Sequence, residues 1–251
     1  MRRSLNALLL LVSFMLAVVG TSASSRADGP TWKNLGAGWA NVAGMAGIGD
    51  SLYVVSSDKL WKVTADGKST DLGGNWTDVT AVTALDGKLY VISGAALWEV
   101  TTDGKYTKLT TNWTPVSGMA AVGGKLYILA GTHLWQTAKD GSYTDLGGNW
   151  TDVSSLTALD GKVYAIAVDK LWAVDSAGKS TDLGAGWSAI RGMTSARGSL
   201  YVISDGKLWK SGKDGKYKNL GGVWTNPRGI AAVGNTLFAI DDGTLWSLAA
   251  P

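Results

Sequence analysis

Apolar positions in this chain come in short runs separated by glycine turns. Val79 to Leu85 is one run, closed by Asp86-Gly87. Leu89-Tyr90-Val91-Ile92 is a second. Leu97-Trp98-Glu99-Val100 follows Ser93-Gly94-Ala95, and Tyr106-Thr107-Lys108-Leu109 follows Asp103-Gly104. Runs of this length, rich in β-branched and aromatic residues and bounded by glycine, predict β-strands rather than helices. Asp-Gly between such runs predicts a type I′ hairpin turn, with positive φ at both central residues. The c–d turn recurs at Asp66-Gly67, Asp140-Gly141 and Asp214-Gly215, with Ala177-Gly178 as a variant. The second run is apolar at successive positions, which predicts a strand buried on both faces.

The whole pattern repeats. Trp39, Trp76, Trp113, Trp150, Trp187 and Trp224 are spaced 37 residues apart, as are Trp61, Trp98, Trp135, Trp172, Trp209 and Trp246. The second-run aromatics Tyr53, Tyr90, Tyr127, Tyr164, Tyr201 and Phe238 keep the same step. Six repeats of four short antiparallel strands predict an all-β, six-bladed β-propeller of four-stranded, 37-residue blades. The last repeat stops after its third strand at Pro251. The segment Thr31-Trp32-Lys33-Asn34-Leu35 aligns with the fourth strand Lys216-Tyr217-Lys218-Asn219-Leu220, with Trp32 in the place of Tyr217. The N-terminal strand is therefore expected to complete the last blade and leave no open edge.

Residues 1–27 read as a secretory signal peptide: Arg2 and Arg3 lead an apolar run from Leu5 to Val19, and Ser25-Arg26-Ala27 fits the cleavage rule. Residues 28–251 form the propeller on this reading, secreted or periplasmic and monomeric, with no membrane span after cleavage. All 20 acidic residues lie at or after Asp28, whereas Arg2, Arg3 and Arg26 precede it. The whole chain's net charge of +3 thus falls to zero without the leader. Nothing in that balance suggests nucleic acid as a partner. There is no cysteine, so neither disulfides nor thiolate metal sites arise.

Strand direction sorts the loops. The a–b and c–d turns fall on one face of the disc, and the b–c loops and d–a connections on the other. The d–a segments, such as Leu72 to Asp78, cross the grooves between blades and carry an aromatic beside amide and carboxylate groups. The candidate ligand-binding residues are therefore Trp39, Trp76, Trp113, Trp150, Trp187 and Trp224, with Asn75, Asn112, Asn149, Asp78 and Asp152. The Trp39 series reads equally as packing or as ligand contact. The Trp61 series, set within the third strand, is expected to pack between blades. Asn75, Asn112 and Asn149 also stand in N-x-T sequons. His133 reads as a solvated loop residue. Asp241-Asp242-Gly243 could contribute to a calcium site, for which two carboxylates supply only part of the ligand set. No catalytic constellation, metal-ligand spacing or phosphate loop occurs, so no cofactor or metal is expected.

Two further features bear on function. Thr70 to Val79 is identical to Thr144 to Val153, and such even repetition suggests several similar weak sites rather than one catalytic centre. The tryptophan opening each repeat, the Gly-x-Leu-Tyr-x-Val/Ile strand and segments such as Asp58-Lys59-Leu60-Trp61-Lys62 and Asp169-Lys170-Leu171-Trp172 resemble the tectonin and tachylectin propeller lectins. The tectonin Val-Trp-Gly-Val core is absent. The resemblance implies a multivalent, non-enzymatic protein that binds cell-surface glycans or lipopolysaccharide between its blades. The alternatives are an envelope protein-interaction scaffold and a metal-dependent propeller enzyme with its site in the central channel.

Overall fold

The computed structural model describes residues 23–24 and 29–251. Apart from Ala23–Ser24, the expected leader lies outside the described residues. No described residue is helical, and six antiparallel sheets form in chain order. The first blade is Val42–Ile48, Ser51–Ser56, Lys59–Val63 and Ser69–Asp71. Four more blades follow with the same order. The first strands of the blades are Val42–Ile48, Val79–Leu85, Val116–Val122, Val153–Leu159, Gly192–Ala196 and Pro227–Val233. Each packs on its neighbours around the centre, so they are the inner strands of a closed ring. The six-bladed propeller is therefore the observed fold.

Closure occurs where the aligned ends place it. Trp32–Ala37 pairs antiparallel with Thr244–Ala249, Lys33 opposite Ser247 and Asn34 opposite Trp246. Ala23–Ser24 adds a short fifth strand outside it. Trp32 has no exposed surface and meets Trp224 edge-on at 4.8 Å. It takes the role of Tyr217, which touches Trp187 at 5.1 Å one blade earlier.

The second strands are buried on both faces because each blade is covered by its neighbours. Tyr53, Tyr90, Tyr127, Tyr164, Tyr201 and Phe238 are all at most 3% exposed. The core is divided into layers between blades: Tyr90, Ile92 and Leu97 of the second blade pack with Trp113, Met119 and Ile128 of the third. Each large side chain so buried stabilises the fold by roughly 1.5–3 kcal/mol. At the inner strands the blades come closest. A methyl group on Gly47 would overlap the Ala232 carbonyl oxygen, and one on Gly44 would meet Val82 Cγ2 at 2.6 Å.

The hairpins sort differently from the expectation. Asp86-Gly87 at an a–b turn and Ser57-Asp58 at a b–c loop have positive φ at both residues, as type I′ requires. At the c–d turns only the glycine does, for example Gly67 at 92°. There Gly67 N–H donates to the Thr64 carbonyl at 2.9 Å, and Thr64 N–H to that of Lys68 at 3.0 Å. This is a three-residue loop ending in a left-handed glycine, and the Thr64 hydroxyl holds it by donating to Asp66.

Candidate functional site

The six inner strands surround an open central channel of about 220 Å³. At its waist stand Met45, Val82, Met119, Leu156, Met193 and Ile230, one from each blade at the same register. Thr83, Thr157, Thr194 and Ser195 add hydroxyls, of which Ser195 donates to the Ala158 carbonyl at 2.6 Å. No side chain lining this space is ionisable.

The mouth of the channel on the face of the b–c and d–a loops is chemically different. In five blades the inner strand skips one residue in its pairing: between Val42 and Gly44, Val79 and Ala81, Val116 and Gly118, Val153 and Ser155, and Pro227 and Gly229. The skipped residues are Ala43, Thr80, Ser117, Ser154 and Arg228. A bulge turns its extra side chain out of the ladder, and bulges often lie beside active sites. Arg191 holds the same repeat position in the fifth blade, just before Gly192–Ala196, and its N–H donates to the Ile203 carbonyl at 2.9 Å. All six are exposed. Two residues further out, Asn41, Asp78, Asp152 and Ala189 have left-handed φ of 45–50°. Asp78 and Asp152 are exposed, and neither carboxylate has a hydrogen-bond or ion-pair partner among the described residues.

Of the expected site residues, Asp78 and Asp152 immediately precede the inner strands Val79–Leu85 and Val153–Leu159 and line none of the groove cavities described below. The tryptophans lie over the grooves, with the burial order reversed. Trp76, Trp113, Trp187 and Trp224 are 3–6% exposed and Trp39 and Trp150 are half-buried, whereas all of the Trp61 series are half-buried. The paired indoles meet edge-on, as Trp76 and Trp98 do at 6.1 Å. Their order follows from a contact the sequence does not announce. The Trp76 N–H donates to the Asp58 carbonyl of the preceding b–c loop at 2.9 Å, and the other five members are anchored in the same way. Each connection is thus folded down onto the groove. Asn75 joins Trp76, Ser93, Trp98 and Tyr106 around a cavity of about 220 Å³. Asn112 and Asn149 line comparable cavities of about 240 and 270 Å³ beside Trp113 and Trp150.

The remaining ionisable groups near the grooves hold strands together. Lys59 pairs with Asp71 at 2.6 Å and Lys170 with Asp182 at 2.7 Å. His133 takes the lysine's place opposite Asp145, at 2.7 Å, and stacks on Trp135. It is therefore not simply solvated. These contacts, with the backbone N–H two residues on, hold the three aspartates below the usual carboxylate range. Asp241 is 3% exposed and accepts the Asn226 N–H at 2.8 Å.

A resident divalent cation does not fit these residues. Among the described residues no three of His, Cys, Asp and Glu lie close enough together to hold one, and the channel walls carry no anionic ligand.

No family model matches the chain, and no curated protein is similar to it in sequence. Solved structures do match its shape. A gluconolactonase from Xanthomonas campestris aligns with a TM-score of 0.73 at 13% identity, over 90% of this chain and 91% of that one. Regucalcin, a calcium-binding protein from Agrobacterium tumefaciens, aligns at 0.67 and 15%, over 86% and 92%. Virginiamycin B lyase from Staphylococcus aureus aligns at 0.60 and 14%, over 84% and 80%. Such identities establish the fold alone. They nevertheless correct two expectations. The three named here are two enzymes and a calcium-binding protein, not tectonin lectins, which runs against the glycan-binding and non-enzymatic expectations. What the comparisons establish for this chain is a six-bladed propeller of the shape that those proteins share.

Proposed function

We propose that this protein is an enzyme acting on a small organic molecule at the mouth of the central channel. Its chemistry is of the lactonase or lyase kind named for its structural neighbours. The observation that carries the reading is the break in symmetry at the mouth. An otherwise even repeat there presents the unlike residues Asp78, Thr80, Ser117, Asp152, Ser154, Arg191 and Arg228, none of them in an ion pair among the described residues. A catalytic centre needs unlike groups, each placed once.

Asp78 and Asp152 are the acid–base pair in this reading. They stand on the second and fourth blades, with the Ser117 strand between them. One carboxylate takes a proton from the attacking water or from carbon, and the other passes a proton taken from solvent to the departing oxygen. Thr80, Ser117 and Ser154 supply hydroxyls to orient the substrate. The neutral waist ring below admits an uncharged portion of it. No step passes through a metal ion, because the donor set does not form.

A panel of lactones and cyclic esters, followed by proton release at constant pH, tests this. Asp78→Asn and Asp152→Asn should each lower kcat by about 10²–10⁴-fold with the circular dichroism spectrum unchanged. A panel without turnover, or turnover indifferent to both replacements, would overturn the proposal.

A further inference from the structure

Arg191 and Arg228 occupy the same position in consecutive repeats. Their blades are adjacent and their inner strands pack on one another. In the other four blades this position is Ala43, Thr80, Ser117 or Ser154, so the two guanidiniums are the only charges in the ring of six. Arg228 is the skipped residue of its bulge, and Arg191 is fixed at its backbone by Ile203. Both side chains are exposed, and neither has a hydrogen-bond or ion-pair partner among the described residues. Arg197, by contrast, donates to the Ala250 carbonyl at 3.2 Å. The carboxylate nearest in register, Asp241 opposite Pro227, is buried and takes the Asn226 N–H.

We infer that Arg191 and Arg228 form an anion site at the channel mouth that takes the carboxylate of a small organic monoacid. The guanidinium fork matches a carboxylate with two parallel hydrogen bonds, and two forks on adjacent blades give a planar anion several donors. Asp78, on the blade across the ring from Arg191, and Asp152, on the blade beside it, both disfavour a second negative charge on the bound molecule. That selects a monoanion over a phosphate dianion or a polyanion. The neutral channel beneath accepts the rest of the molecule. This inference rests on the proposed channel-mouth enzyme and names the chemistry of its substrate.

Titration calorimetry of the full chain with benzoate, at constant ionic strength, tests the site. Arg191→Gln and Arg228→Gln should each weaken binding by about tenfold or more, in line with a lost charge-assisted hydrogen bond. The double replacement should abolish binding, and Arg197→Gln should leave it unchanged. Melting temperatures of the variants should stay at that of the parent, because both side chains are exposed. Inorganic phosphate should bind more weakly than benzoate. Undiminished benzoate binding in the double variant, no benzoate binding by the parent, or phosphate binding more tightly would each overturn the inference. The two proposals fail separately. Arginine-dependent binding with no turnover on any lactone sinks the enzyme reading alone. Turnover that depends on Asp78 and Asp152 but ignores both arginines sinks the anion site alone.

Discussion

Each groove holds two perpendicular indoles, and the cost of removing one depends on how much of it water already reaches. Trp76 is 6% exposed, whereas Trp98 is half-buried with the Lys108 ammonium over its face at 4.8 Å. Trp76→Ala should cost about 3–5 kcal/mol, the range for a buried aromatic, and Trp98→Ala distinctly less. Urea denaturation of both variants checks the order, and equal losses would contradict it. The 37-residue spacing was enough to locate both rings. It did not say which one is covered, because that depends on a backbone bond from Trp76 to Asp58, between segments with no sequence signature of their own. The same limit applied to Asp78 and Asp152. Their residue type marked them as candidates, but their position just before the inner strands Val79–Leu85 and Val153–Leu159 is read from the three-dimensional ring.

Among the elements, the inner strands are the most constrained. Positions 84, 121, 158 and 232 are alanine and 195 is serine, yet the equivalent in the first blade is Gly47. The seam between the first and last blades is so close that a methyl at Gly47 overlaps the Ala232 carbonyl. Gly47→Ala should therefore cost about 1–3 kcal/mol, as overpacking does, and thermal unfolding measures it. A gain in stability would show that the seam relaxes freely. Strand identity and blade count were legible from run length, glycine turns and the repeat. The bulges were not, since a skipped residue leaves the alternation on either side intact. The ring of exposed residues at that repeat position, Arg191 and Arg228 included, has no signal except two arginines at equal repeat positions.

At the scale of the whole molecule, the ring is held shut by Trp32–Ala37. Trp32→Ala removes a fully buried side chain that packs on Trp224. It should lower stability by about 3–5 kcal/mol and release an edge strand that favours aggregation. Calorimetry and light scattering on heating check both effects, and a variant as stable and as soluble as the parent would contradict the closure role. The architecture was legible because it depends on counting repeats and matching ends. Function is not legible at the same scale, for a related reason. The identical stretches Thr70–Val79 and Thr144–Val153 suggest many equal sites, whereas the proposed chemistry rests on the positions where the repeats differ.

The closing strand also sets an order in time. Trp32–Ala37 leaves the ribosome before any blade exists, but its partner, Thr244–Ala249, is made after all the other described strands. Until then the earliest strand has no ladder to join, and the half-built arc carries a bare edge at each end. Contacts between residues so far apart in sequence form slowly, because the loop entropy is lost before the pairing compensates for it. Pairing of Trp32–Ala37 with Thr244–Ala249, the contact farthest apart in sequence, is therefore expected late in folding. The nascent chain is most exposed to misassembly just before its final strand is complete.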